Sequence, residues 1–244
     1  MIKQIPHRTF FGALAAGVLL LGASAWAATP STKPNIVLMF IDDMGYGDIG
    51  PFGNTVNKTP NLDRMAEEGI KLTQFYVANT ACTPSRAALL TGTYAHRIGM
   101  DGGNGNLVVT FPGDSRGLNP SEITIAEMLW ENGYATGCFG KWHLGDQPEF
   151  MPLNQGFDTY FGIPYSNDMW PQHTARNPIT KRKYEPLPVM KQDKAVAHVA
   201  DEFDQSLLAE VITDEAIAFI EKNQKRPFFC YIPHAHVHYP RHAR

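Results

Sequence analysis

Cysteine is scarce: Cys82, Cys138 and Cys230 are the three in 244 residues. So few exclude a disulfide scaffold, and the odd number leaves at least one thiol unpaired. Cys138 and Cys230 sit in apolar runs that read as buried strands. Two inert core thiols or one bridge both fit, since the sequence does not place their Cα atoms. A long block of one charge is also missing. With 21 basic against 24 acidic residues and a formal net charge of −3, no nucleic acid and no anionic membrane surface is an expected partner. Internal repeats are absent. The apolar stretch from Phe10 to Leu21 is too short to span a bilayer comfortably.

That stretch follows Lys3 and Arg8 and precedes Ala25-Trp26-Ala27, which puts small residues at the two positions a signal peptidase reads. Residues 1–27 are therefore expected to be a cleaved signal peptide. No cysteine follows directly for lipoprotein processing. Cleavage removes two bases and no acid, leaving 19 basic against 24 acidic residues, a balance of −5. The mature protein is expected to be periplasmic or secreted, with no membrane anchor.

The 244-residue chain is 43% hydrophobic and 18% charged, enough for one sizeable core in residues 28–244. Asn35 to Ile41 is a continuous apolar run, as expected of a parallel strand covered on both faces. Ile70–Val77, Tyr134–Phe139 and Pro227–Ile232 read as further strands. Thr59 and Pro60 open a short helix stopped at Gly69, and Thr124 with Glu127 forms a capping box for another. Leu207, Leu208, Val211, Ile212, Ala216, Phe219 and Ile220 recur at helical spacing over about Asp204–Asn223. Residues 146–200 read as loops that shape a pocket mouth. Strands alternating with helices predict an α/β fold, a mostly parallel sheet flanked by helices.

Polar clusters gather where such sheets hold ligands, just past the strands' carboxyl ends. Asp42 and Asp43 end the first strand; the pair reads either as a cation site or as a solvated turn. Cys82-Thr83-Pro84-Ser85-Arg86 opens a helix that Gly92 stops, placing Cys82 and Arg86 at free backbone N–H groups and a positive dipole end. Lys141 and His143 lie in a tight loop after another strand. His234, His236 and His238 follow the last, and their alternate spacing also fits a zinc site. A cation site, a nucleophile at a helix start and several cationic donors together describe transfer of a tetrahedral oxyanion.

These residues carry a resemblance. Cys82-Thr83-Pro84-Ser85-Arg86 with Leu90-Thr91-Gly92 resembles the signature of the type I sulfatases, the formylglycine-dependent arylsulfatase family. Asn35–Asp43, Gly140–Gly145 and Pro227–Pro240 resemble three further motifs in the family's order. Residues 129–170, with Lys141-Trp142-His143 and Gln155-Gly156-Phe157-Asp158, are most similar to the arylsulfatase A and N-acetylgalactosamine-6-sulfatase branch. The resemblance implies an alkaline-phosphatase-like fold and a sulfuric ester hydrolase.

It further implies that a formylglycine-generating enzyme oxidises Cys82 to formylglycine. One hydroxyl of the hydrated aldehyde attacks sulfur, and the other releases sulfate as the aldehyde re-forms. Asp42, Asp43 and residue 82 would bind Ca²⁺, with Mg²⁺ as the second choice. Arg86 would support the hydrated aldehyde. Lys141, His143 and His238 would bind the sulfate of a small-molecule or glycan substrate, with His236 as the second choice for the last. A histidine or lysine of this group would protonate the leaving alcohol.

Family members continue beyond the position of Arg244 with an Asp-Asn pair that completes the cation shell and a further lysine on sulfate. Residues 1–244 match neither, so the chain reads as the N-terminal part of a sulfatase, incomplete at the C-terminus, with little or no activity by itself. The competing readings are a phosphoesterase or phosphonate hydrolase of the alkaline phosphatase superfamily, a non-catalytic secreted anion- or metal-binding domain, and the zinc site.

Overall fold

The computed structural model describes residues 33–103, 105–172 and 183–242. The expected signal peptide, residues 1–27, lies outside them. Among the described residues no helix is long and apolar enough to cross a membrane.

Six strands form one sheet: β1 (Ile36–Ile41), β2 (Ala135–Lys141), β3 (Thr159–Ile163), β4 (Leu187–Lys191), β5 (Lys194–Val199) and β6 (Phe228–His234). Their order is β1-β6-β2-β3-β4-β5. The first four in that order run parallel, while β4 and β5 add an antiparallel hairpin at one edge. Among the described residues four α-helices accompany them: α1 (Pro60–Glu68), α2 (Cys82–Thr91), α3 (Ile125–Glu131) and α4 (Glu202–Asn223).

The centre of the sheet is covered on both faces. Leu208, Ile212, Ala216 and Phe219 of α4 pack on Phe139, Phe161, Phe228 and Ile232. On the other face Ala87 and Leu90 of α2 and Ala126 and Leu129 of α3 meet Trp142, Tyr160, Phe229 and Tyr231. Successive strand residues face opposite ways, and this separates two cysteines. Gly137 is the register partner of Cys230, so Cys138 belongs to the α2/α3 core and Cys230 to the α4 core. All three cysteines are free, and the bridge left open by sequence is not formed.

The helix signals hold locally. Thr124 Oγ1 accepts the Glu127 N–H at 3.1 Å, and Glu127 returns an acceptor to the Thr124 N–H at 2.7 Å. Asp201 caps α4 by accepting the Asp204 N–H at 2.9 Å, so the helix starts at Glu202, two residues before the expected start. Thr59 instead accepts the Gly50 N–H at 2.9 Å.

Three expectations are corrected. Ile70–Val77 forms no strand; Ile70 is 89% and Tyr76 70% exposed. Its apolar alternation meets no neighbouring strand, and the Tyr46 hydroxyl ties it at the Phe75 carbonyl and amide. Strand β1 pairs with β6 alone, and Val37 and Met39 stay about half exposed, at 48% and 46%. Residues 146–200 are not all loop, since β3, β4 and β5 fall among them. Pro188 and the exposed face of β5 hide the hairpin, which fits the habits of an edge.

Two glycines let the central strands close up near the site. Gly140 and Gly162 are register partners on β2 and β3, with φ of +140° and +156°. A Cβ on Gly162 would collide with the Gly140 carbonyl, and one on Gly140 with the Pro233 carbonyl. Gly162→Ala is expected to lower the unfolding free energy by about 2–4 kcal/mol through overpacking and backbone strain. Urea denaturation measures this, and an unchanged midpoint would show that the strands separate at no cost.

Candidate active site

The sheet brings the predicted polar clusters to one rim. Asp42 and Asp43 follow β1, Lys141 ends β2, and His236 and His238 lie past β6. Helix α2 starts at Cys82, with extended Ala81 as its cap, and closes at Gly92, which has φ +65° and donates to the Ala88 carbonyl at 2.9 Å.

Asp42 is the hub. Its Oδ2 lies 2.5 Å from Lys141 Nζ and 3.3 Å from Arg86 Nη2, and both cationic side chains are fully buried. Arg86 Nη1 also donates to the Lys141 carbonyl at 2.7 Å, and its guanidinium lies over the Phe40 ring. Burial alone would push the Asp42 carboxyl up, but Lys141 and Arg86 together hold it below the usual carboxylate range. Two buried cations against one buried carboxylate leave a surplus of positive charge, which suits an anionic ligand.

Cys82 sits at this hub. Its Sγ is 3.6 Å from Asp42 Oδ1 and 3.5 Å from Lys141 Nζ. Burial pushes the thiol up, opposed by Lys141 and reinforced by Asp42. At neutral pH the sulfur is therefore a protonated thiol rather than a thiolate nucleophile.

His143 is buried, with φ +60° and its ring Nε2 3.0 Å from the Thr110 carbonyl. Burial, with Lys141 and Arg86 adding to it, holds the imidazole well below its ordinary value, so it is neutral. His238 Nε2 lies 3.8 Å from Asp43 Oδ2. Asp43 has a left-handed backbone, φ +59°, and an exposed carboxylate. Ligand atoms of Asp42, Cys82 and His238 lie within 4.8 Å of one another, the one such cluster among the described residues. Thus Asp42 and Cys82 meet as expected, while Asp43 faces His238.

The three histidines do not converge on a zinc site among the described residues. Strand β6 ends at His234, and beyond it His236 Nε2 meets the His242 carbonyl and His238 Nδ1 the Tyr239 carbonyl. The strand alternation that would have aligned them has ended. Asp42 and Asp43 do offer hard oxygens to a Ca²⁺ or Mg²⁺ ion, and they are part of the six to eight that Ca²⁺ takes.

Sequence reasoning missed Ser166. It is buried in the loop after β3 and accepts from Lys141 Nζ at 2.8 Å; a single serine in a loop carries no spacing signal. A cleft of about 300 Å³ opens at the site, lined by Asp42, Asp43, Thr80, Cys82 and Ser85. A larger cavity of about 530 Å³, lined by Asp146, Met151, Tyr165 and Met190, contains none of these chemical groups. Part of the segment expected to shape the pocket mouth lines that second cavity instead.

The buried histidines set a pH dependence. Burial lowers His143, His234 and His236 from the ordinary 6.5, so below that value the unfolded chain binds more protons. Stability is expected to fall as pH drops below about 6.5, each histidine contributing up to about 1.4 kcal/mol per pH unit. Asp42 adds a further loss below its ordinary 3.8. Urea midpoints across this range should fall toward acid, and His143→Asn should flatten the slope; a flat wild-type profile would overturn the assignment.

Comparison with known proteins fits this geometry. The Sulfatase family model matches residues 34–244. Human arylsulfatase A is 41% identical over 232 residues, which cover 91% of this chain and 44% of the human protein. Dog N-acetylgalactosamine-6-sulfatase is 38% identical over 224 residues, 88% of this chain and 41% of the relative. The crystal structure of Ps i-CgsB aligns with a TM-score of 0.71 at 33% identity, over 86% of this chain and 46% of that one. The chain thus spans under half the length of each of these three proteins. With that match running through β1, α2, β2 and β6, the chain belongs to the sulfatase family.

Proposed function

We propose that this chain contributes the nucleophile-bearing part of an exported sulfatase that hydrolyses a sulfate ester to an alcohol and inorganic sulfate. The observation that carries this reading is the environment of Cys82. The thiol sits in the first turn of a buried helix, between a carboxylate and a lysine, protonated and thus poorly suited to attack as sulfur. Its Cys-Thr-Pro-Ser-Arg context supports conversion to formylglycine by a separate formylglycine-generating enzyme.

Formylglycine would supply an oxygen nucleophile and a second hydroxyl that drives sulfate release. Lys141 and Arg86 provide fixed positive charge for the sulfate oxygens, already desolvated and so strong at short range. Arg86 is clamped between Asp42 and the Lys141 carbonyl, which suits it to orient residue 82. Ser166 steadies the Lys141 ammonium. His143, neutral, can accept the nucleophile's proton. His238, partly exposed beside Asp43, would donate a proton to the leaving alcohol. Asp42 and Asp43 would hold a divalent cation, Ca²⁺ or Mg²⁺, whose charge would stabilise the sulfate oxygens. Ps i-CgsB is also solved in complex with k-i-k-neocarrahexaose, which favours a sulfated glycan as the substrate class. The amino-terminal signal motif supports export of the enzyme to the periplasm or beyond.

Co-expression with a formylglycine-generating enzyme, followed by peptide mass analysis, should find formylglycine at residue 82. A persistent thiol would favour a non-catalytic anion-binding domain instead. In the modified protein, an aryl sulfate should be turned over in preference to an aryl phosphate, and the reverse order would favour phosphoester hydrolysis. Residues 28–244 alone should turn over little aryl sulfate, because Asp42 and Asp43 make a partial cation shell. Robust turnover by that piece, lost on Cys82→Ala, would overturn this last expectation.

A further inference from the structure

His143 holds a left-handed backbone, φ +60°, which is disfavoured for any residue with a Cβ and persists only where surrounding bonds enforce it. Three bonds do so. Its N–H donates to the Pro164 carbonyl at 3.0 Å, its carbonyl accepts from the Thr83 hydroxyl at 2.9 Å, and its ring Nε2 meets the Thr110 carbonyl at 3.0 Å. A carbonyl only accepts, so Nε2 carries the hydrogen and the neutral ring keeps its lone pair on Nδ1. Nδ1 is buried and has no hydrogen-bond partner among the described residues.

Thr83 acts on both anchors of this ring. Besides donating to His143, its Oγ1 accepts the Thr110 N–H at 3.1 Å and lies 3.4 Å from the Thr110 hydroxyl. Thr83 is fully buried and stands between Cys82 and Pro84 on α2. Its hydroxyl is thus spent on the loop that carries the Nε2 acceptor and on the backbone of the histidine itself.

We infer that Thr83 is a positioning residue for His143, its hydroxyl bridging the Thr110 amide and the His143 carbonyl so that the imidazole is fixed as the Nε2–H tautomer with Nδ1 as the free acceptor. The catalytic meaning of that acceptor rests on the reading of the site proposed above. The bridge also couples the helix bearing Cys82 to the loop bearing His143, so the spacing of nucleophile and base depends on a hydroxyl. Serine can replace it, and an apolar residue of equal size cannot.

Long-range proton–nitrogen correlation of the imidazoles in ¹⁵N-labelled protein at neutral pH tests this, with His143 assigned by the signal lost in His143→Asn. The wild type and Thr83→Ser should show a single Nε2–H tautomer. In Thr83→Val both ring nitrogens should shift toward tautomer-averaged values. Should Thr83→Val not fold, Thr83→Ala removes the same hydroxyl without added bulk and is read in the same way. An Nδ1–H ring in the wild type, or an unshifted ring in the folded variant lacking the hydroxyl, would overturn the inference. In active protein the same substitution should lower kcat about tenfold or more with KM little changed, and Thr83→Ser should restore it. Preference for aryl phosphate over aryl sulfate in a protein with the expected ring signals would count against the proposed reaction and leave the positioning role supported.

Discussion

One carboxylate oxygen, Asp42 Oδ2, receives a buried lysine and a buried arginine at once, and three elements are committed to each other through it. Leaving either cation buried without its counter-charge would cost several kcal/mol, so β1, β2 and α2 cannot shift independently. The spacing explains why the donor from β2 is a lysine. Strands β1 and β2 are separated by β6, roughly 10 Å at about 4.8 Å per strand, and a long flexible side chain spans that gap. The cluster's surplus of positive charge is in turn what an anionic ester would neutralise.

This explains why the site tolerates strain nearby. Asp43 and His143 both have left-handed backbones without being glycine, one residue and two residues beyond the charged hub. Such conformations cost of order 1–3 kcal/mol each and survive only where the surroundings over-determine them. Around His143 that enforcement is visible in bonds from Pro164, Thr83 and Thr110. Gly140, immediately before Lys141, removes the last steric obstacle by letting the Pro233 carbonyl approach β2.

Much of the sheet was legible because these strands are written as largely apolar runs, from Ile36, Ala135 and Phe228 onward. The capping box at Thr124 and the apolar stripe of α4 were equally plain, since both are local signals. The hairpin β4–β5 was not, because Pro188 argues against a strand and β5 has no buried face until Val199. Ile70–Val77 shows the opposite error: a local alternation looked like a strand, but pairing needs a neighbour, and that is a non-local property. In the site, Cys82, Arg86 and Lys141 were recoverable from motif chemistry, whereas the direction of Asp43 depends on one dihedral. Ser166 and Thr83 act through single hydroxyls, which leave no pattern in the sequence.

The separation of Cys138 and Cys230 onto opposite faces of the sheet has a practical consequence. Both are sealed in apolar cores at 0% exposure, whereas Cys82 is partly accessible. To a water-borne alkylating reagent, at a pH high enough to ionise it, Cys82 is therefore the one accessible thiol of the folded protein. If residue 82 is modified as proposed, thiol counting in the folded protein gauges that step, one equivalent for the raw chain and none after conversion. Denaturation then releases the two core thiols as an internal standard of protein concentration.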